Sequence, residues 1–206
     1  MKRLAILGAS GHGKVLAGIA ELQGWEKIEF FDDAWPAKAM NGPWLIVGDT
    51  EFLKDKLTEY QGVIVAIGHN SIRLEKQLQL EQLNANLVTL IHPAAVVSHY
   101  AQVMSGSVVM ANAVINPFAS LGKACIVNTA ATVDHDCILA DGVHISPGAN
   151  VAGGVTIGTK SWVGVGAAVK QMLHIGHNVV IGAGASVVNN LESNKTFVGI
   201  PAKEKQ

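Results

Sequence analysis

The chain is poor in charge, in aromatic rings and in cysteine, and each shortage narrows what it can be. Charged residues make up 15% and aromatic residues 5%, with two cysteines among 206 residues. Low charge and a formal balance of −1 remove the electrostatic basis for nucleic acid or an anionic membrane as partner. With few rings and 49% hydrophobic residues, the core must be built from small aliphatics. Two cysteines, without further partners, do not suggest a disulfide framework or a metal site, and no metal is expected. No apolar run reaches membrane-spanning length. The opening apolar run, Leu4 to Leu7, is too short for a secretory leader and glycines follow it at once. The expectation is a soluble cytoplasmic protein with no membrane insertion.

What the chain does have is a repeat. From Ala95 to Asn190 it divides into sixteen consecutive blocks of six, and the third residue of every block is Val, Ile or Leu. The series runs from Val97 and Val103 through Val133 and Ile145 to Ile181 and Val187 without an insertion. Position one is nearly always small, and both cysteines, Cys125 and Cys137, fall there. Neither a helix nor a flat strand explains a sustained period of six. The hexapeptide period predicts a parallel β-helix, left-handed, with three blocks per triangular coil and the aliphatic third residue pointing inward. The cysteines are then buried reduced thiols. Glycine after the inward residue, at Gly122, Gly158, Gly164, Gly176 and Gly182, is expected where a corner uses its conformational freedom.

Residues before the repeat alternate between strand and helix patterns. Strands are predicted at Arg3 to Leu7, Ile28 to Phe31, Trp44 to Val47, Val63 to Ile67 and Leu87 to Ile91. Helices are predicted after Gly13, over Glu51 to Tyr60, and over Ser71 to Leu83 with Ser71 as N-cap. Such alternation implies a parallel sheet covered by helices. His92-Pro93 marks the boundary. The expected architecture is an α/β Rossmann-like domain over residues 1–92, followed by a left-handed β-helix domain with a C-terminal tail over residues 93–206.

Two constellations carry chemistry. Gly8-Ala9-Ser10-Gly11-His12-Gly13 lies between a strand and a helix, where backbone N–H groups can face an anion. Asp32 ends the next strand, where a carboxylate can accept from ribose hydroxyls. The spacing is G-x-x-G-x-G, which weakens a nicotinamide reading, and the loop also suits a tight turn without a ligand. In the repeat, Asp134-His135-Asp136 concentrates charge near a corner of an otherwise nearly uncharged region. Flanking carboxylates raise an imidazole's pKa and fix its tautomer, as a general base requires. A solvated corner triplet fits the same spacing. His174 and His177 lack a third partner, and their spacing on a β-helix does not make a metal site.

The GASGHG loop, Phe31-Asp32-Asp33, Ala66-Ile67-Gly68-His69-Asn70, Asn128-Thr129, His135-Asp136-Cys137 and Val198-Gly199-Ile200-Pro201-Ala202-Lys203 together carry a family resemblance. The chain resembles the sialic acid O-acetyltransferase type of sugar acetyltransferase, and within it the UDP-4-amino-sugar N-acetyltransferases of the bacillosamine pathway. The resemblance implies a homotrimer with acetyl-CoA as co-substrate in a groove between adjacent prisms. It implies a UDP-amino sugar as partner, bound through Ser10, Gly11, His12, Asp32, Asp33 and Gly68. It implies His135 as general base and Asp136 as the neighbour that increases its basicity, where similar enzymes often carry Glu. Asn128, His144, Val165 and Ala183 are the implied acetyl-CoA contacts. The expected reaction is direct acetyl transfer to the 4-amino group of a UDP-linked 4-amino-4,6-dideoxy sugar for a bacterial surface glycan. O-acetylation of sialic acid or a related sugar is the alternative.

Overall fold

The computed structural model describes residues 1–205, which form two compact units meeting at Pro93 and Ala94. In the first, strands β1 (Arg3–Leu7), β2 (Lys27–Phe31), β3 (Met40–Asn41), β4 (Trp44–Gly48) and β5 (Gly62–Val65) make one sheet in the order β3-β4-β2-β1-β5. All neighbours are parallel except β3 and β4. Central β1 has Leu4, Ala5 and Ile6 fully buried, as a strand covered on both faces must. Helices α1 (Gly11–Leu22), α2 (Thr50–Asp55) and α3 (Asn70–Gln82) supply that cover. Leu53 of α2 and Leu80 of α3 share a core with Ala5, Leu7 and Phe31. The alternate residue Phe30 faces α1, where a Cβ on Gly13 would lie 2.8 Å from its ring. The carboxyl ends of β1, β2 and β5 therefore open between α1 on one face and α2 with α3 on the other.

Several elements differ from their predicted form. The helix expected over Glu51 to Tyr60 stops at Asp55 and continues as a 3₁₀ turn, Leu57–Glu59. Tyr60 leaves it extended and buried, its hydroxyl donating to Glu29 Oε2 at 3.1 Å. Asp49, not Glu51, sets the start of α2, by accepting from the Phe52 N–H at 2.8 Å. Ser71 is not the cap of α3. His69 holds that place, with Nδ1 facing the Ile72 N–H at 3.5 Å. β3 was not anticipated, because two residues are too few to show a period.

From Val96 to Val187 each two-residue strand covers positions two and three of one block and pairs in parallel with strands eighteen residues away, and the tail adds Thr196–Val198, parallel to Val180–Ile181, and Lys203–Glu204, antiparallel to Thr196–Val198. One face stacks Val96, Val114, Thr132, Asn150, Ala168 and Ser186, the second Gln102 to His174, and the third Val108 to Thr196. Third-position residues from Val109 to Val187 are at most 2% exposed. Position one completes the core with backbone-directed polar atoms. The Ser107 hydroxyl donates to Gly122 O at 2.9 Å and accepts from Cys125 N at 2.9 Å. Cys125 and Cys137 are free and buried, each thiol donating to a carbonyl of the next coil at 3.2 Å.

The corners turn elsewhere than expected. Every sixth residue from Gly106 to Gly184 has positive φ, including Phe118, Ala130, Asp136, Lys160 and Met172. The position-four glycines are not among them. They are small because the next coil presses on them: a Cβ on Gly158 would lie 2.6 Å from the Gly176 carbonyl carbon, and one on Gly164 2.5 Å from Ile181 O. The left-handed corner aims the position-six N–H at the position-five carbonyl of the preceding coil, as in Ala130 to Ala111, Gly148 to Thr129 and Met172 to Gly153, each at 2.9–3.0 Å. That bond offsets a left-handed cost of roughly 1 kcal/mol per side-chain-bearing residue.

Candidate active site

The first unit holds a cavity of about 330 Å³ where the sheet's carboxyl edge opens. Ser10, Asp32, Asp33 and Gly68 line it, together with Thr50 and Lys76. Parallel sheets place ligands at this edge. Asp32 builds the loop: Oδ2 accepts from Ala9 N at 2.7 Å and Oδ1 from Ala34 N at 3.0 Å. Lys38 adds a bond to the Ala9 carbonyl. Asp33 accepts from Thr50 N at 3.0 Å. That threonine, then Lys76 and Lys54, hold its carboxyl below the ordinary value against desolvation. Gly8 has φ +111 and a Cβ there would meet Ala66 O at 2.9 Å, so only glycine fits.

Gly11 and His12 are not in the cavity wall. Gly11 is exposed in the first turn of α1. His12 is half-buried, and its Nε2 is buried with no hydrogen-bond partner. Burial, then the charge of Arg73, hold its pKa down to about 4, so the ring is neutral. Arg73 is 1% exposed and donates to Ile67 O at 3.1 Å, Gly68 O at 3.0 Å and Asn70 Oδ1 at 2.9 Å. It fixes the loop that carries Gly68. Lys76 and Arg73 share the inward side of α3 at a spacing of three, a helical signal that sequence reading passed over.

The β-helix carries the second part. His135 occupies position five and Asp136 the left-handed position six, with φ 58. His135 Nδ1 lies 2.7 Å from Asp136 Oδ2. With that nitrogen donating, Nε2 is the one that accepts a proton. Asp134 Oδ1 accepts from the His135 N–H at 2.8 Å and from Asn116 Nδ2 at 2.7 Å. The Asp136 bond, then the charge of Asp134, raise the His135 pKa above its ordinary value. The imidazole is exposed and lies over Gly153, where a Cβ would sit 2.6 Å from Cε1 and Nε2. Cys137 is fully buried and burial pushes its thiol pKa up, so it cannot serve as the nucleophile.

The cofactor candidates form two groups. Asn128 Nδ2 lies 3.2 Å from His144 Nε2, and the His144 ring stacks on Trp162 at 5.5 Å and 7°. Trp162 Nε1 donates to Ser146 Oγ at 2.6 Å. Val165 and Ala183 are exposed at position five of successive coils, on the corner that ends this face. His135 lies on the next corner, across the face of Thr132 and Asn150. Among the described residues no cluster of three or more His, Cys, Asp or Glu could hold a metal ion. Among the same residues no helix is long and apolar enough to cross a membrane.

An α/β unit with a cavity at the carboxyl edge of its sheet is followed in the chain by a left-handed β-helix of hexapeptide repeats, the two-part fold of sugar acetyltransferases of known structure. Residues 3–80 match the PglD N-terminal domain. The acetyltransferase domain of PglB from Neisseria gonorrhoeae, solved with acetyl coenzyme A, is 41% identical with a TM-score of 0.95, covering 99% of each chain. PerB from Caulobacter crescentus, solved with CoA and GDP-perosamine, is 33% identical with a TM-score of 0.95, covering 100% of this chain and 98% of that one. The UDP-N-acetylbacillosamine N-acetyltransferase of Bacillus subtilis (strain 168) is 33% identical over 124 residues. That alignment takes in 54% of this chain and 52% of the Bacillus protein, so the match spans about half of the relative. The chain belongs to the bacillosamine-type family of sugar acetyltransferases.

Proposed function

We propose that this protein is an acetyl-CoA-dependent N-acetyltransferase acting on the 4-amino group of a UDP-linked 4-amino-4,6-dideoxy sugar, in the cytoplasm and as a homotrimer. The observation that carries the reading is the His135–Asp136 pair, with Nδ1 held at 2.7 Å and the imidazole exposed. The names of the relatives support the substrate class: one is named a UDP-N-acetylbacillosamine N-acetyltransferase, and another was solved with GDP-perosamine. The cavity beside Ser10, Asp32, Asp33 and Gly68 is the nucleotide site in this reading.

Acetyl-CoA supplies the activated acyl group. The residues present suit it: Gly166 and Gly184 follow Val165 and Ala183 with left-handed φ and open space around them, leaving corner backbone accessible. Asn128 and His144 offer polar atoms on the adjoining face. His135 Nε2 takes the proton that the sugar amine sheds as its nitrogen bonds to the acetyl carbonyl carbon. It then returns that proton to the departing thiolate. No covalent acyl-enzyme is needed, since holding both substrates together supplies much of the rate. Within one prism His135 and the Val165–Ala183 corner stand on different edges. A second copy bringing its own corner against His135 completes one site, which supports the oligomer.

The test pairs wild type with His135→Ala against UDP-, GDP- and CMP-linked amino sugars, following CoA release. The expected product is an alkali-stable amide, formed at a rate lowered by about 10²-fold or more in the variant. An ester product, or unchanged turnover in the variant, would overturn the proposal. Sedimentation then reports the trimer.

A further inference from the structure

We propose that Lys76 and Asp33 read the nucleobase at its keto–imino edge, Lys76 donating to a ring carbonyl and Asp33 accepting from the adjacent ring N–H. This rests on the nucleotide reading of the cavity and adds to it which bases are accepted. The cavity has two chemically different ends. Ser10, at the start of α1, belongs to one face of the sheet; Asp33, Thr50 and Lys76 lie on the α2–α3 face. The α1 end offers main-chain N–H groups and suits phosphate oxygens. Asp32, between the two ends, already receives two backbone N–H groups.

At the α2–α3 end a donor-only group stands beside an acceptor-only group. Lys76 Nζ is 3.8 Å from Asp33 Oδ2 and 3.4 Å from Thr50 Oγ1, both longer than a good hydrogen bond. Asp33 Oδ1 is engaged by Thr50 N and the Thr50 side chain also supports the carboxylate, while Oδ2 faces Lys76 at that long distance. The Asp33 side chain is 66% exposed and that of Lys76 24%, so a planar ligand can reach both. Anionic Asp33 and cationic Lys76 present acceptor and donor side by side. Uracil shows N3–H beside the C4 carbonyl, and guanine shows N1–H beside the C6 carbonyl. Both complement the pair. Cytosine and adenine show a ring nitrogen acceptor beside an amino donor, which sets amino against ammonium and lone pair against carboxylate. The pair therefore separates keto from amino bases and leaves uracil and guanine undivided.

Titration calorimetry of the full chain with UDP, GDP, CDP and ADP tests this. UDP and GDP are expected to bind about tenfold or more tightly than CDP and ADP, the size of one charge-assisted hydrogen bond. Lys76→Met is expected to weaken UDP and GDP and bring the keto-to-amino ratio close to one. Lys76→Arg, which keeps the donor, is expected to retain a preference. Equal affinity of wild type for all four, or an undiminished ratio in Lys76→Met, overturns base reading while leaving the nucleotide site intact. A uniform loss across all four, with the ratio kept, assigns Lys76 to structure alone and also overturns it. No binding of any nucleotide overturns the site itself. Thermal unfolding of each variant confirms that the compared proteins are folded.

Discussion

Replacing Gly153 by Ala pushes a methyl group into the imidazole of His135. The added Cβ would lie 2.6 Å from both Cε1 and Nε2, and the nearest alternative contact is also that ring, at Cδ2. Ordinary carbon contacts begin near 3.4 Å, so the ring must retreat by about 0.8 Å or rotate off Asp136 Oδ2. Gly153 is not left-handed, so alanine is conformationally acceptable there and the fold should survive. A displacement near 1 Å at a reacting group costs on the order of 10²-fold in rate, or about 2.7 kcal/mol of transition-state stabilisation. The assay is kcat/KM from CoA release with the preferred amino sugar, alongside nucleotide affinity and the unfolding midpoint. Gly153→Ala should lose about 10²-fold in kcat/KM and keep nucleotide affinity within about twofold. A variant that is folded and retains more than half of wild-type kcat/KM would refute the reasoning, because the imidazole position described here could not then be the productive one.

Three further outcomes follow from the same structure. Asp136→Asn tolerates the left-handed backbone but removes the charge that raises the His135 pKa; the acid limb of the kcat–pH profile should move to lower pH, and an unmoved limb would reject Asp136 as the basicity partner. His12, held near pKa 4 against an ordinary 6.5, stays neutral when folded while the unfolded chain takes up its proton. Its contribution is therefore full above pH 6.5 and lost as pH falls toward 4, by about 2 kcal/mol at pH 5. Denaturant unfolding at pH 7.5 and pH 5 should show a smaller difference for His12→Gln than for wild type; identical differences count against it. Cys137→Ala removes one thiol bond to Ala152 O and should cost about 1 kcal/mol of stability with turnover kept above half; loss of activity in a folded variant would reopen a covalent route.

The period of six was legible because inward residues must recur wherever each coil stacks on the next. The αβ alternation showed through short apolar runs between glycines, so β1, β2 and the helices fell near their predicted places. The left-handed corners did not show. Sequence logic assigns positive φ to glycine, but here a backbone bond to the coil above sets the conformation, and Phe118, Lys160 and Met172 accept it. The Asp134-His135-Asp136 triplet was visible as charge in an uncharged region, yet Asn116 and Gly153, one coil away on either side, act on it only through the eighteen-residue stacking. Lys76 reaches Asp33 from a different βα unit, a distance in sequence that no local pattern spans. The resemblance groups Gly11 and His12 with Ser10, and both stand in the first turn of α1, outside the lining of the cavity.

The corner bond between position six of one coil and position five of the coil before sets the currency in which this domain can change length. Adding one residue within a coil would hand the left-handed place to whatever came next, and slide every inward Val or Ile toward solvent from that point on. Adding eighteen leaves every partner where it was. A lineage of such chains should therefore grow and shrink by whole coils at the ends of the prism. Smaller insertions should survive only as loops thrown outward at a corner, where the paired residues on both sides keep their places.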